Sequence, residues 1–262
     1  MESKITLAAR DDVALVTMDN ETRANAIDLA FCEQMQTALH DIERSAKYRA
    51  VILQASGRIF SAGGDLHQIH GGVQRADGFL ESLISALNAT IMSVRRLPIP
   101  VIASVQGAAA GAGFSLAMAC DLVVASRSAR FVVGYAKLGT SSDGGLSFHL
   151  TRRLGAARAL EIMLTRDSLS ADEAAQLGLV QSVVEPAKLD ETSLALARTL
   201  ADLPAAAVRE TKTLVEMAGR DNLERHLEHE KYAFMRCAST KEFSLRVEQF
   251  IARSGSSGSP SA

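Results

Sequence analysis

Two short apolar runs, Val101-Ile102-Ala103-Ser104-Val105 and Leu122-Val123-Val124-Ala125, bracket a stretch of small residues. That stretch, Gly107-Ala108-Ala109-Ala110-Gly111-Ala112-Gly113, opens a helix running through Cys120. Strand, glycine-rich turn, helix and strand in this order imply an α/β fold. The same alternation holds upstream. Val51-Ile52-Leu53 reads as a buried strand that runs into Ser56-Gly57-Arg58 and the small-residue loop Ser61-Ala62-Gly63-Gly64-Asp65. Phe79, Leu83, Leu87 and Ile91 recur on one face of a helix that Pro98 and Pro100 end.

The flanks fit this frame. Ile5-Thr6-Leu7 and Val13 to Met18 read as a hairpin turning at Asp11-Asp12, and Phe31, Met35, Ala38, Leu39 and Ile42 mark the helix after it. The last third reads as mainly helical. Ser170-Ala171-Asp172-Glu173 and Ser239-Thr240-Lys241-Glu242 are capping-box patterns, Gly178 suits a helix stop, and Pro204 suits a first helical position. Residues 254–262, Ser, Gly, Pro and Ala only, read as a disordered tail without function. The Gly71-Gly72 pair and Arg75-Ala76-Asp77 read as a mobile entrance to a pocket.

Composition narrows the function classes. With 262 residues, 47% hydrophobic, 22% charged and a net charge of −2 without a basic block, the chain reads as globular and not as a nucleic-acid binder. No apolar run approaches the roughly 20 residues needed to span a bilayer, and the N-terminus carries no secretory pattern. Cys32, Cys120 and Cys237 are too far apart for a metal pair or a disulfide framework and read as small buried residues. A cytoplasmic location is the expectation. His67, His70 and His149 show no metal-ligand spacing, and His226 and His229 among glutamates read as a solvated helix face.

Gly63-Gly64 and Gly111-Ala112-Gly113 each follow a strand and precede a helix. Such turns let a ligand approach the backbone, and the first N–H groups of a helix point outward. Two of these donors meeting at one carbonyl oxygen would form an oxyanion hole; tight turns with close helix–strand packing are the alternative. Neither loop is a nucleotide-phosphate fingerprint.

Several segments in order resemble the signatures of the crotonase (enoyl-CoA hydratase/isomerase) superfamily. They are Arg23-Ala24-Asn25-Ala26-Ile27, Phe60-Ser61-Ala62-Gly63-Gly64-Asp65-Leu66, Pro100 to Gly107, Ala109-Ala110-Gly111-Ala112-Gly113, Ala119-Cys120-Asp121-Leu122 and Ala174 to Val180. The resemblance runs over roughly residues 5–250. It implies a spiral of ββα units over residues 1–200 and a C-terminal helical region over 201–253 that makes a trimer, or a dimer of trimers. The substrate it implies is an acyl group carried as a coenzyme A thioester. No permanent cofactor, metal, nucleic acid or membrane is implied. The amides of Gly64 and Ala112 become the oxyanion donors, and Ala26, Ala62, Gly63, Asp65 and Leu66 line the coenzyme end.

Hydratases of this family use two glutamates, and the matching places here are Ser115 and Tyr135, which line the substrate site without a carboxylate. Asp143, followed by Gly144-Gly145-Leu146-Ser147-Phe148, matches an acid of enoyl-CoA isomerases of the phenylacetate-degradation type. The resemblance therefore implies a Δ3,Δ2-enoyl-CoA isomerase with Asp143 as proton shuttle. A turn role for Asp143 is the structural alternative. Other outcomes are a hydratase, hydrolase or dehalogenase acting through Asp143, although the dehalogenase's helper histidine would fall near Asn88, or an inactive thioester-binding paralogue. Lys212, Lys231 and Arg236 are candidates for the coenzyme phosphates.

Overall fold

Continuous apolar strands need cover on both faces, and this chain supplies it. In a computed structural model, describing residues 4–75 and 78–256, the strands are β1 (Ile5–Arg10), β2 (Val13–Met18), β3 (Ala50–Ala55), β4 (Val101–Val105), β5 (Ala108–Ala110), β6 (Leu122–Ser126), β7 (Arg130–Val132), β8 (Ser168–Ser170) and β9 (Ser182–Val184). One sheet runs β1-β2-β3-β4-β6-β9 and is parallel except for the β1–β2 hairpin. A smaller sheet runs β5-β7-β8.

The helices are α1 (Leu29–Arg44), α2 (Leu66–Arg75), α3 (Phe79–Arg96), α4 (Ala112–Ala119), α5 (Leu146–Leu154), α6 (Ala156–Thr165), α7 (Ala171–Gln176), α8 (Leu189–Ala201), α9 (Ala205–Ala218), α10 (Leu223–Ala238) and α11 (Lys241–Ser256). Side chains alternate along each strand. Val51, Leu53, Val101, Ala103 and Val123 join the main core with α1, α3 and α4. Ala50, Ile52, Ile102 and Val124 face Leu189, Ala197 and Ala201 of α8 on the other side. Helix α4 is buried along its whole length. A helix enclosed on all sides needs no polar stripe, which accounts for its run of small and apolar residues.

This α/β arrangement with a helical C-terminal region agrees with what the resemblance implies. The chain divides into two compact units, one up to Ala201 and one from Asp202 onward. The second contains α9, α10 and α11. Within it Glu210 is buried and paired with Arg236 across 2.6 Å, while Leu223, Phe234, Met235, Phe250 and Ile251 are exposed.

Local details differ from the sequence reading. The alanine run before α4 is a strand, β5, because Ala108–Ala110 pairs with Arg130–Val132. Gly71 and Gly72 lie inside α2, where Gly72 is packed under Phe79 and does not open a loop. Ala76 and Asp77, the other part of that expected entrance, lie outside the described residues. Pro204 is the residue before α9, one position earlier than expected. Ser239 closes α10 and Thr240 caps α11 by accepting from Phe243 N at 3.2 Å, so the second capping box is not formed. The Ser170–Glu173 box is present. Helix α11 reaches Ser256, so the start of the expected tail is helical, and residues 257–262 lie outside the described residues. Cys237 is half-buried, unlike Cys32 and Cys120; on α10 Glu224, Glu228 and Glu230 are exposed as expected, but His226, beside Glu230, and His229, beside Asp221, are half-buried. No helix among the described residues is long and apolar enough to cross a membrane.

Candidate active site

The two glycine loops meet. Gly63 has φ +86, and a Cβ there would stand 2.5 Å from the Ala110 oxygen and 3.3 Å from the Ala112 nitrogen. Only glycine allows both that conformation and that approach. The loop is held by a parallel bridge to Ile27, in which Ile27 N donates to Gly63 O at 2.8 Å and Asp65 N donates to Ile27 O at 3.1 Å. These bonds use the residues on either side of Gly64. Among the described residues the Gly64 amide donates no hydrogen bond. The Ala112 amide donates none either, since it opens α4 and has no carbonyl one turn behind it. Two unused backbone donors thus come from loops packed on each other, next to Gly111 with φ 50 and ψ −118.

The loops are fixed by polar side chains. Asn25 donates to Ser56 O and Ile59 O, and Gln106 donates to Ala55 O, Gly57 O and Ile59 O. Arg23 bonds Asp28 Oδ2 at 3.2 Å and also pairs with Asp65 Oδ2. Asp28 caps α1 through Phe31 N, and Asp65 caps α2 through His67 N and Gln68 N. Asp65 is therefore engaged within the protein. Ala26, Ala62 and Leu66 lie along the same bridge; Ala62 and Leu66 are exposed and Ala26 is half-buried. The sequence does not show the Arg23 clamp, because its two carboxylates cap different helices far apart in the chain.

Beyond the first turn of α4, Ser115, Tyr135 and Asp143 come together. Tyr135 lies just past β7, and its hydroxyl donates to Asp143 Oδ1 at 2.5 Å. Ser115 Oγ donates to the Asp143 backbone oxygen at 2.9 Å and stands 3.2 Å from the Tyr135 hydroxyl. Gly144 (φ +55) leaves room for this contact, because a Cβ there would press on Ser115 Cβ at 2.9 Å. The Tyr135 ring lies beside Gly111, the residue before Ala112. Leu87 of α3 also reaches Gly144, whereas Asn88 is exposed.

Burial shifts both ionisable groups here. It raises the Asp143 carboxyl above the ordinary carboxylate value, against the opposing hydrogen bonds from Tyr135 and from its own backbone. Tyr135 is pushed up by burial and by the neighbouring carboxylate, so its phenol stays protonated and acts as a donor. The turn at Asp143 is closed by its backbone, with Leu146 N donating to Asp143 O at 3.3 Å, while the carboxylate is turned toward Tyr135. Asp121 has a structural task, accepting from Val101 N at 2.8 Å. Among the described residues no His, Cys, Asp and Glu side chains gather as a metal-ligand set. Of the candidate phosphate ligands, Lys231 pairs with Glu228 and Arg236 with Glu210.

Known proteins share this arrangement of sequence and fold. A family model described as enoyl-CoA hydratase/isomerase matches residues 8–255. The trans-2-decenoyl-[acyl-carrier-protein] isomerase of Streptococcus mutans is 30% identical over 221 residues, 83% of this chain and 82% of its own. The 1,2-epoxyphenylacetyl-CoA isomerase of Escherichia coli is 32% identical over 242 residues, 92% of each chain. Among solved structures, an enoyl-CoA hydratase from a Polaromonas species superposes with a TM-score of 0.92 at 32% identity, covering 95% of this chain and 97% of that one.

Proposed function

The chain belongs to the enoyl-CoA hydratase/isomerase family of the crotonase superfamily, and from that premise we propose that it is a Δ3,Δ2-enoyl-CoA isomerase with Asp143 as its proton shuttle. The observation that carries this reading is the Asp143 carboxylate, bonded by Tyr135 and tied through its backbone to Ser115 of α4. The places of the two hydratase glutamates hold Ser115 and Tyr135, neither of which supplies a carboxylate to activate water.

The thioester carbonyl of a 3-enoyl-CoA would accept from the Gly64 and Ala112 amides. Asp143 takes a proton from C2, and the electron pair forms a dienolate whose negative charge rests on the carbonyl oxygen. Asp143 then returns the proton to C4 as the double bond settles between C2 and C3. Each amide donor in such a site is worth about 2.7–4 kcal/mol of transition-state stabilisation, and the positioned base about 10²–10⁴-fold in rate. The raised pKa makes the carboxylate a stronger base at C2 and the carboxylic acid a weaker donor at C4. The substrate brings coenzyme A with it, so this chemistry needs no resident cofactor.

The exposed apolar side chains of α10 and α11 support a trimer as the working assembly. Isomerisation is tested by giving the protein 3-enoyl-, 2-enoyl- and aryl-CoA substrates in oxygen-18 water and following products by mass spectrometry. A shifted double bond without added mass is the expected result. Incorporated oxygen-18 would move the assignment to hydration or hydrolysis, and tight binding without turnover to an inactive thioester-binding protein.

A further inference from the structure

Resting on the Asp143 assignment above, we infer that Tyr135 is a positioning residue, which holds Asp143 by Oδ1 and leaves Oδ2 as the oxygen that meets substrate. Three observations carry this. The Tyr135 hydroxyl is buried, and its bond to Asp143 Oδ1 is 2.5 Å long. Among the described residues no other side chain donates to that carboxylate, and the one side-chain bond it accepts is at Oδ1; its own backbone is the other donor. The chain on either side of Asp143 gives it little support, since residues 136–141 are exposed and Gly144 and Gly145 both have positive φ.

Proton accounting excludes the other roles for this hydroxyl. A phenol carries one proton, and here it is given to Asp143. Burial and the adjacent carboxylate make that proton hard to remove, so Tyr135 does not replace the missing glutamate as a base. Nor is it simply a wall of the acyl pocket, because packing alone would be served by phenylalanine, with no buried hydroxyl to satisfy. A donor to the charged form of a carboxylate favours ionisation. Tyr135 therefore works against the burial that raises Asp143.

The test compares wild-type protein, Tyr135→Phe and Asp143→Asn, with folding checked by thermal melting. The Asp143 carboxyl is titrated by ¹³C NMR on aspartate-labelled protein, its resonance assigned as the one missing in Asp143→Asn. In Tyr135→Phe its midpoint should move up by about one to two pH units, the size expected for one lost hydrogen bond to a charged group. With 3-hexenoyl-CoA, the acid limb of kcat should move up in parallel, and the plateau should fall about tenfold to a hundredfold with KM held. An unmoved titration midpoint, or an effect confined to KM, overturns the positioning role. Asp143→Asn that still isomerises at the wild-type rate instead overturns the isomerase reading, a result the NMR titration cannot mimic.

Discussion

Ser115 Oγ donates to the backbone oxygen of Asp143 across 2.9 Å, tying the segment that carries the carboxylate to the helix whose first amide is Ala112. Ala112 and Ser115 lie one turn apart on α4, so the proposed oxyanion donor and the anchor of the base share one rigid element. This relation explains how a carboxylate followed by two glycines can be held against a helix at all.

Ser115→Ala should cut that tie. The Asp143 oxygen would keep only its 3.3 Å bond from Leu146 N. We expect a loss of about 1 kcal/mol in stability, read by urea denaturation, from one buried hydrogen bond. Isomerase kcat should fall about tenfold if the carboxylate then wanders, with KM little changed. An unchanged kcat would show that Tyr135 alone fixes the carboxylate.

Ala112→Pro removes one proposed oxyanion donor without removing a helical hydrogen bond. Ala112 is the first residue of α4, a position where proline is accepted because its N–H has no partner within the helix. Turnover should drop about 10²–10³-fold while α4 still forms, as read by kinetics and circular dichroism. A folded variant with normal turnover would rule this amide out of the chemistry.

Much of this site was legible in the sequence, and what was not has physical causes. Gly63-Gly64 and Gly111-Ala112-Gly113 announce backbone approach, and family motifs around them single out Ser115, Tyr135 and Asp143. The hydroxyl-to-carboxylate bond between Tyr135 and Asp143 depends on how a loop folds back, which no periodicity encodes. Arg130–Val132, Ser168–Ser170 and Ser182–Val184 are not legible as strands in the sequence, because three residues are too few to display a strand's alternation. Gly71 and Gly72 argue locally against a helix, yet tertiary packing of Gly72 under Phe79 outweighs that preference.

The pH dependence of stability follows from the direction of the Asp143 shift. Its folded-state pKa lies above the unfolded value, chiefly through burial, so the folded state holds its proton more tightly. The fold then loses stability as pH rises from the unfolded pKa through the folded one, where a buried carboxyl has to ionise. Asp143→Asn should therefore melt at a higher temperature than wild type at neutral pH, with the difference shrinking below the unfolded carboxylate range. At the same time its isomerase activity should be lost by about 10²–10⁴-fold, while affinity for the thioester is kept. Equal melting temperatures across the pH range would mean that the carboxylate is not strained by its surroundings.

Arg23→Ala tests the scaffold beneath the loops. Arg23 is shared by Asp28 and Asp65, whose side chains are almost fully buried and which cap α1 and α2. Removing the guanidinium takes away the cation that the two buried carboxylates share, leaving Gln68 Nε2 as a neutral donor to both. Losing one partner of a buried ion pair costs about 3–5 kcal/mol, and the half-exposed Arg23 should sit at the low end of that range. The damage should reach binding, because Asp65 follows directly on Gly64 and its N–H holds the Ile27 bridge. Isothermal titration with coenzyme A should show weakened affinity, and Asp28→Asn placed on top of Arg23→Ala should recover part of the stability by removing one of two neighbouring negative charges. If the double variant is no more stable than Arg23→Ala, the clamp acts through packing of the arginine stem instead of its charge.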